Sequence, residues 1–135
     1  MPLIQWTPAL SVKVRHLDEQ HQAIVTLINN LDEAMAQGQG KAVLGQIISE
    51  LARYSVWHFT EEENLFDTLG YPDAAAHVAE HKRFIAEVMK AQADFDFGKP
   101  AQSIQVIDFL TDWLSTHVCG SDQKYSAFFN EKGVR

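Results

Sequence analysis

Four stretches of this chain repeat apolar residues every three or four positions, the spacing that lines one face of an α-helix. In the first, Ile24, Ile28, Leu31 and Met35 share a stripe with His21. Asp18 precedes the stripe as a candidate N-cap and Gly38-Gln39-Gly40 follows it as a stop, so the pattern predicts a helix from Asp18 to about Gln37. A second helix is expected from about Lys41 to Leu69, with Leu44, Ile47, Ile48, Leu51, Leu65, Phe66 and Leu69 on one side. Tyr54, Ser55, His58 and Glu62 fill the middle of that same stripe. A third begins near Pro72 or Asp73, where proline suits a first turn, and carries His77, His81, Phe84, Ile85, Val88 and Phe95. Asp94 to Lys99 reads as a loop closed by Gly98. The fourth helix spans about Pro100 to Val118, with Ile104, Ile107, Leu110, Leu114 and His117 on its face. Gly120 reads as its stop and Ser121 to Asn130 as a short final helix. Residues 1–17 hold Pro2 and Pro8 and read as an extended arm pinned by Trp6. Long amphipathic helices with short links predict an all-α, up-down-up-down four-helix bundle with an N-terminal arm and a short C-terminal helix. A chain of 135 residues suits one such domain over residues 1–135.

Polar residues on the apolar stripes change the picture. Five of the six histidines, His21, His58, His77, His81 and His117, fall on predicted core faces. One alone would be an ordinary buried residue satisfied by its neighbours. Five of them with Glu62, and no counter-ion, would each carry a desolvation cost on the order of a few kcal/mol. A bound cation removes the difficulty by taking their lone pairs. His58 and Glu62 are four apart, as are His77 and His81, so each pair projects from one helix face. The break Asp67-Thr68-Leu69-Gly70-Tyr71-Pro72 makes the two helices antiparallel, and the pairs can converge. Asp122 follows His117 by five, which on a straight α-helix is about 500° and off the His117 face. Either Gly120 breaks the helix and Asp122 turns back over the site, or Asp122 is an exposed cap; the spacing leaves both open.

Charge and composition narrow the partners. A net charge of −7 and a pI near 5.2 argue against nucleic acid or an anionic membrane. No apolar run approaches the ~20 residues of a membrane span. Met1-Pro2-Leu3-Ile4-Gln5-Trp6 has no basic segment before an apolar stretch, so no secretory signal is read. The single cysteine, Cys119, excludes an internal disulfide and suits a reducing space such as the cytoplasm. Its thiol reads as a small buried hydrophobe, His16 as a solvated surface group, and Glu61 and Glu63 as solvated carboxylates off the histidine stripe. Tyr54 is a candidate hydrogen-bond donor to the site.

His21 within Asp18-Glu19-Gln20-His21, His58-Phe59-Thr60-Glu61-Glu62, His77-x3-His81 and His117-x4-Asp122 together resemble the ligand set of the hemerythrins, and of their single-domain bacterial members most. The likeness runs from about Trp6 to Tyr125. It implies a non-heme di-iron centre inside a four-helix bundle. By resemblance, His77, His81 and His117 hold one iron, His21 and His58 the other, and Glu62 and Asp122 bridge both. The resemblance also implies that Phe59, Trp113, Leu114 and Val118 line an O2 pocket, although each alone fits ordinary core packing. With one oxo or hydroxo bridge, the three-histidine iron is full at about six ligands and the two-histidine iron keeps one open position. Reversible O2 binding for carriage, storage or delivery is therefore expected, with O2 held as a hydroperoxide and no enzymatic turnover. The alternatives are a di-iron oxidase or peroxidase, and O2 or nitric oxide sensing or scavenging. Ferritin-like oxidases use Glu-x-x-His pairs, and none occurs here; Asp18-x-x-His21 is the nearest. A closed zinc site needs only four ligands, fewer than the seven gathered here. O2 and an O2-consuming enzyme are the expected partners of a chain expected to be a monomer.

Overall fold

Leu17, His21, Ile24, Ile28 and Leu31 are all fully buried on one helix, α1 (Arg15–Ala36), as their spacing dictates. The computed structural model describes residues 3–100 and 102–135. After α1 come α2 (Gly40–Leu69), α3 (Ala74–Asp96), α4 (Gln102–Trp113) and α5 (Asp122–Glu131). Between α4 and α5 the chain stays helical but widens into a π-helical segment, Leu114–Ser121. α1 packs on α2 and α4, and α3 packs on the same two, which is the up-down-up-down four-helix bundle.

Short turns enforce the antiparallel order. Gly70 takes the left-handed conformation, φ +72°, that a side chain would strain. There its N–H and that of Tyr71 both donate to the Phe66 carbonyl, at 2.9 and 3.0 Å, and α2 ends. α3 then starts just past Pro72 and Asp73. It also runs further than expected: residues 94–96, read as loop, close its last turn before Gly98.

The arm departs from the sequence reading. It folds into a 3₁₀ turn at Pro8–Leu10, and α1 begins at Arg15 instead of Asp18. Asp18 is inside the first turn and accepts from the Val12 N–H (2.8 Å) and the Ser11 hydroxyl (2.6 Å), so its carboxylate ties the arm down instead of capping the helix. Trp6 packs on the core as expected, and Asn29 exchanges two 2.8 Å hydrogen bonds with the Ile4 backbone. Pro2, and Ala101 within the expected fourth helix, lie outside the described residues.

The expected faces of α3 and α4 hold except for one residue on each. Ile85 and Ile104 are solvent-exposed, while Val106 is buried beside Ile107 and Leu110. Two apolar clusters result. A large one holds Ile24, Ile28, Ile48, Leu51, Phe59, Phe84, Leu110, Trp113, Leu114 and Val118. A smaller one gathers Val12, Val14, Leu17, Phe66, Tyr71, Tyr125 and Phe129. Aromatic rings of both clusters border the buried histidines: Phe59 and Trp113 from the first, Phe66 and Tyr125 from the second. The polar layer is thus enclosed between two dry ones.

Candidate metal centre

Helical spacing delivers the first four polar groups. His58 and Glu62 lie one turn apart on α2, and His77 and His81 one turn apart on the facing side of α3. α1 adds His21. The π-helical segment adds His117, and Asp122 opens α5. All seven are at most 3% exposed.

Gly120 does not break the helix, contrary to the sequence reading. The Asp122 N–H donates to the His117 carbonyl five residues back, the bond that defines a π-turn. Five residues then make up about one turn, so His117 and Asp122 share a face. Asp122 is fully buried; the alternative of an exposed cap is overturned.

The seven groups form two sets that share a carboxylate. Glu62, His77, His81 and His117 offer ligand atoms within 4.8 Å of one another, and so do His21, His58, Glu62 and Asp122. Each carboxylate aims one oxygen at each set. Asp122 Oδ1 lies 2.9 Å from His77 Nε2 and 3.0 Å from His117 Nε2, while Oδ2 lies 3.0 Å from His21 Nε2. Glu62 Oε1 lies 3.0 Å from His81 Nε2, while Oε2 lies 3.2 Å from His58 Nε2.

These short approaches are mostly not hydrogen bonds. His77 Nε2, His81 Nε2, His117 Nε2, Glu62 Oε1 and both Asp122 oxygens are buried with no hydrogen-bond partner. An orphaned buried polar atom costs about 1–3 kcal/mol. Six of them converging from three helices and the π-helical segment suit cations that accept all their lone pairs. The donor set of imidazoles and carboxylates fits first-row divalent metals, iron included.

Outer hydrogen bonds orient the rings. His58 Nδ1 donates to Gln20 Oε1 (2.6 Å), His81 Nδ1 to Glu63 (2.9 Å) and His117 Nδ1 to Glu80 (2.9 Å). A proton held on Nδ1 leaves the Nε2 lone pair facing the centre. Tyr125 donates to Glu62 Oε2 at 2.5 Å. Glu63, expected from the sequence to be solvated, is instead only partly exposed and bonded to His81. Glu61 is exposed, and His16 also, as expected. Nothing in the sequence pattern singles out Gln20, Glu80 or Tyr125. Gln20 and Glu80 each precede a histidine in sequence but reach the histidine of another helix. Tyr125 sits three after Asp122, on its face. Tyr54, the expected donor, stacks on His58 instead (5.2 Å, 17°), and its hydroxyl is buried without a partner. Cys119 is exposed, not buried: two residues past the buried His117, it falls on the opposite side of the helix.

Aromatic rings cover the three-histidine side. Phe59 stacks on His81 (3.8 Å, 6°) and Trp113 on His117 (3.9 Å, 14°). Leu114 and Val118 are buried in the same cluster.

A family model described as "Hemerythrin HHE cation binding domain" matches residues 12–129. The chain belongs to the hemerythrin family. It is 34% identical over 126 residues to a bacteriohemerythrin of Stenotrophomonas maltophilia, covering 93% of this chain and 81% of that one. A bacteriohemerythrin of Methylococcus capsulatus is 32% identical over 126 residues, 93% of this chain and 95% of that one. Among solved structures, wild-type hemerythrin superposes with a TM-score of 0.83 at 32% identity, over 93% of this chain and 96% of that chain. A leucine-to-alanine hemerythrin mutant gives 0.84 at 31%, over 94% and 97%. The family's cation-binding description agrees with the orphaned lone pairs.

Without a metal, protons occupy this hemerythrin centre. Burial lowers the basicity of His21, but the carboxylates of Asp122 and Glu62 beside it, 3.0 and 3.6 Å away, outweigh that and raise its pKa to about 10. The same balance raises His77 to about 9. Burial opposes ionisation of Glu62 and Asp122 too, yet the neighbouring imidazoles hold both well below the usual carboxylate range. At neutral pH, His21 and His77 are thus protonated and the carboxylates are not. A metal needs those lone pairs, so loading must expel protons. We expect release of about two protons per chain near pH 7 and weaker binding as pH falls, read by calorimetry in buffers of different ionisation enthalpy. Release of none would show the imidazoles neutral. The stability of the metal-free fold follows the same signs. The raised histidines contribute fully below about pH 6.5 and are lost as pH rises through about 9 for His77 and about 10 for His21; the depressed carboxylates contribute above about 4.5 and are lost on acidification.

Proposed function

We propose that this protein binds O2 reversibly at a di-iron centre and works as a carrier, store or donor of O2 instead of as a catalyst. One observation carries the reading: three imidazoles face one half of the centre, two face the other, and two carboxylates face both. His77, His81 and His117 would hold one iron and His21 and His58 the other; with one imidazole fewer, the His21–His58 half would be the half left open to O2. When bound, two ferrous ions supply the two electrons that O2 takes up and gives back.

The chain's own residues do the rest. His77, His81 and His117 fill one half, and His21 and His58 hold the other. Glu62 and Asp122 link the halves, with Tyr125 fixing Glu62 by its hydroxyl. Phe59, Trp113, Leu114 and Val118 keep the site dry, since water and protons promote irreversible oxidation. The nitrogen-rich set, with two carboxylates among seven groups, favours reversible binding over oxidase chemistry. The reading is completed by a single-domain monomer over residues 1–135 in a reducing cytoplasm, supplying an O2-consuming enzyme. No helix among the described residues is long and apolar enough to cross a membrane.

The test is optical. The reduced, iron-loaded protein should gain a visible absorption band in air and lose it under vacuum over repeated cycles. Oxidation in air without a reversible band, together with turnover of an electron donor, would make the protein an oxidase or peroxidase.

A further inference from the structure

The two halves of the centre are supported unequally from outside. On the three-histidine half, two imidazoles donate Nδ1–H to carboxylates: His81 to Glu63 and His117 to Glu80, both at 2.9 Å. Glu80 is itself held by the Ser121 hydroxyl at 2.7 Å. Phe59 and Trp113 fix the planes of the same two rings by close stacking. On the other half, His58 donates to the neutral amide of Gln20, and His21 Nδ1 is buried with no partner.

An anionic acceptor on Nδ1 makes Nε2 a stronger donor and pins its direction; a neutral acceptor does less, and none does nothing. We infer that Glu63 and Glu80 are positioning residues that make the three-histidine half the tighter metal site, so that the His21–His58 half fills last and empties first. The inference rests on the two-metal reading above and adds an order to it. The half that would keep the open position for O2 is then also the half that loses its metal. Glu63 and Glu80 side chains are 36% and 24% exposed, so solvent moderates their charge and the effect is a graded one.

The experiment uses the full chain, stripped with a chelator and titrated anaerobically with Co(II), followed by calorimetry and by the cobalt absorption bands. Two binding steps are expected, the first at least about tenfold tighter. H21A should remove only the weaker step. E63Q and E80Q keep side-chain size and an accepting oxygen; each should weaken the tight step about tenfold and leave the weak step within about threefold. Q20E should instead tighten the weak step, a gain that mere structural support would not produce. Both glutamates are partly exposed, so the E63Q and E80Q proteins are expected to fold, which circular dichroism checks. Loss of the tight step in H21A, or equal weakening of both steps in E63Q and E80Q, overturns the inference while two ions still bind. Uptake of one Co(II) per chain overturns the two-metal reading itself.

Discussion

Asp122→Asn is expected to lower the iron content from two ions per chain to one or none. Asp122 presents one oxygen to His77 and His117 and the other to His21. An amide of the same size keeps one oxygen, and its NH2 group puts hydrogens where the other half needs a lone pair. The centre can then be served on one side only. The metal-free protein should lose about 3 kcal/mol as well, because His21 and His77 forfeit the anion that holds their protons. Colorimetric iron analysis of the purified variant checks the first effect and thermal unfolding the second. Two irons per chain with an unchanged spectrum would show that Asp122 does not link the halves.

Leu114→Ala should speed autoxidation about tenfold, equivalent to about 1.4 kcal/mol off the barrier. Leu114 is buried in the core cluster that also holds Phe59, Trp113 and Val118. It also lines a surface groove of about 490 Å³ beneath the arm, with Leu3, Ile4, Leu10 and Cys119. Truncation leaves a void that joins the groove to the interior, and water and protons gain access to the open half. The same void should cost about 2–5 kcal/mol of stability. Ile104→Ala is the control: that side chain is 54% exposed, and its loss should change neither quantity measurably. The decay of the air-dependent band gives the rate. An unchanged decay in the Leu114 variant would remove Leu114 from the wall that keeps the centre dry.

The helices and the pairs on them were legible because α-helical geometry is local. His58 with Glu62, and His77 with His81, need only a four-residue spacing to share a face, and their helices end at glycine and proline signals readable in the sequence. Asp122 was not legible from its spacing, because its position depends on a register that the local sequence does not announce. Only the π-turn hydrogen bond to His117 brings it round, and that turn is fixed by Asp122 fitting among His21, His77 and His117 from three different segments. Gly120 looked like a stop because glycine often is one, but here the chain passes it in helical conformation. Glu63 was read as solvated because α2 alone places it beside the stripe; the α2–α3 packing decides that His81 reaches it.

Sequence alone therefore determined the four-helix order, the buried histidines and the need for a cation, since periodicity and desolvation act along single helices. Tertiary structure decided that two carboxylates face both halves, and which imidazoles lean on Glu63, Glu80 or Gln20. Those choices depend on how far each helix is rotated against its neighbours, and rotation is set by packing across the bundle.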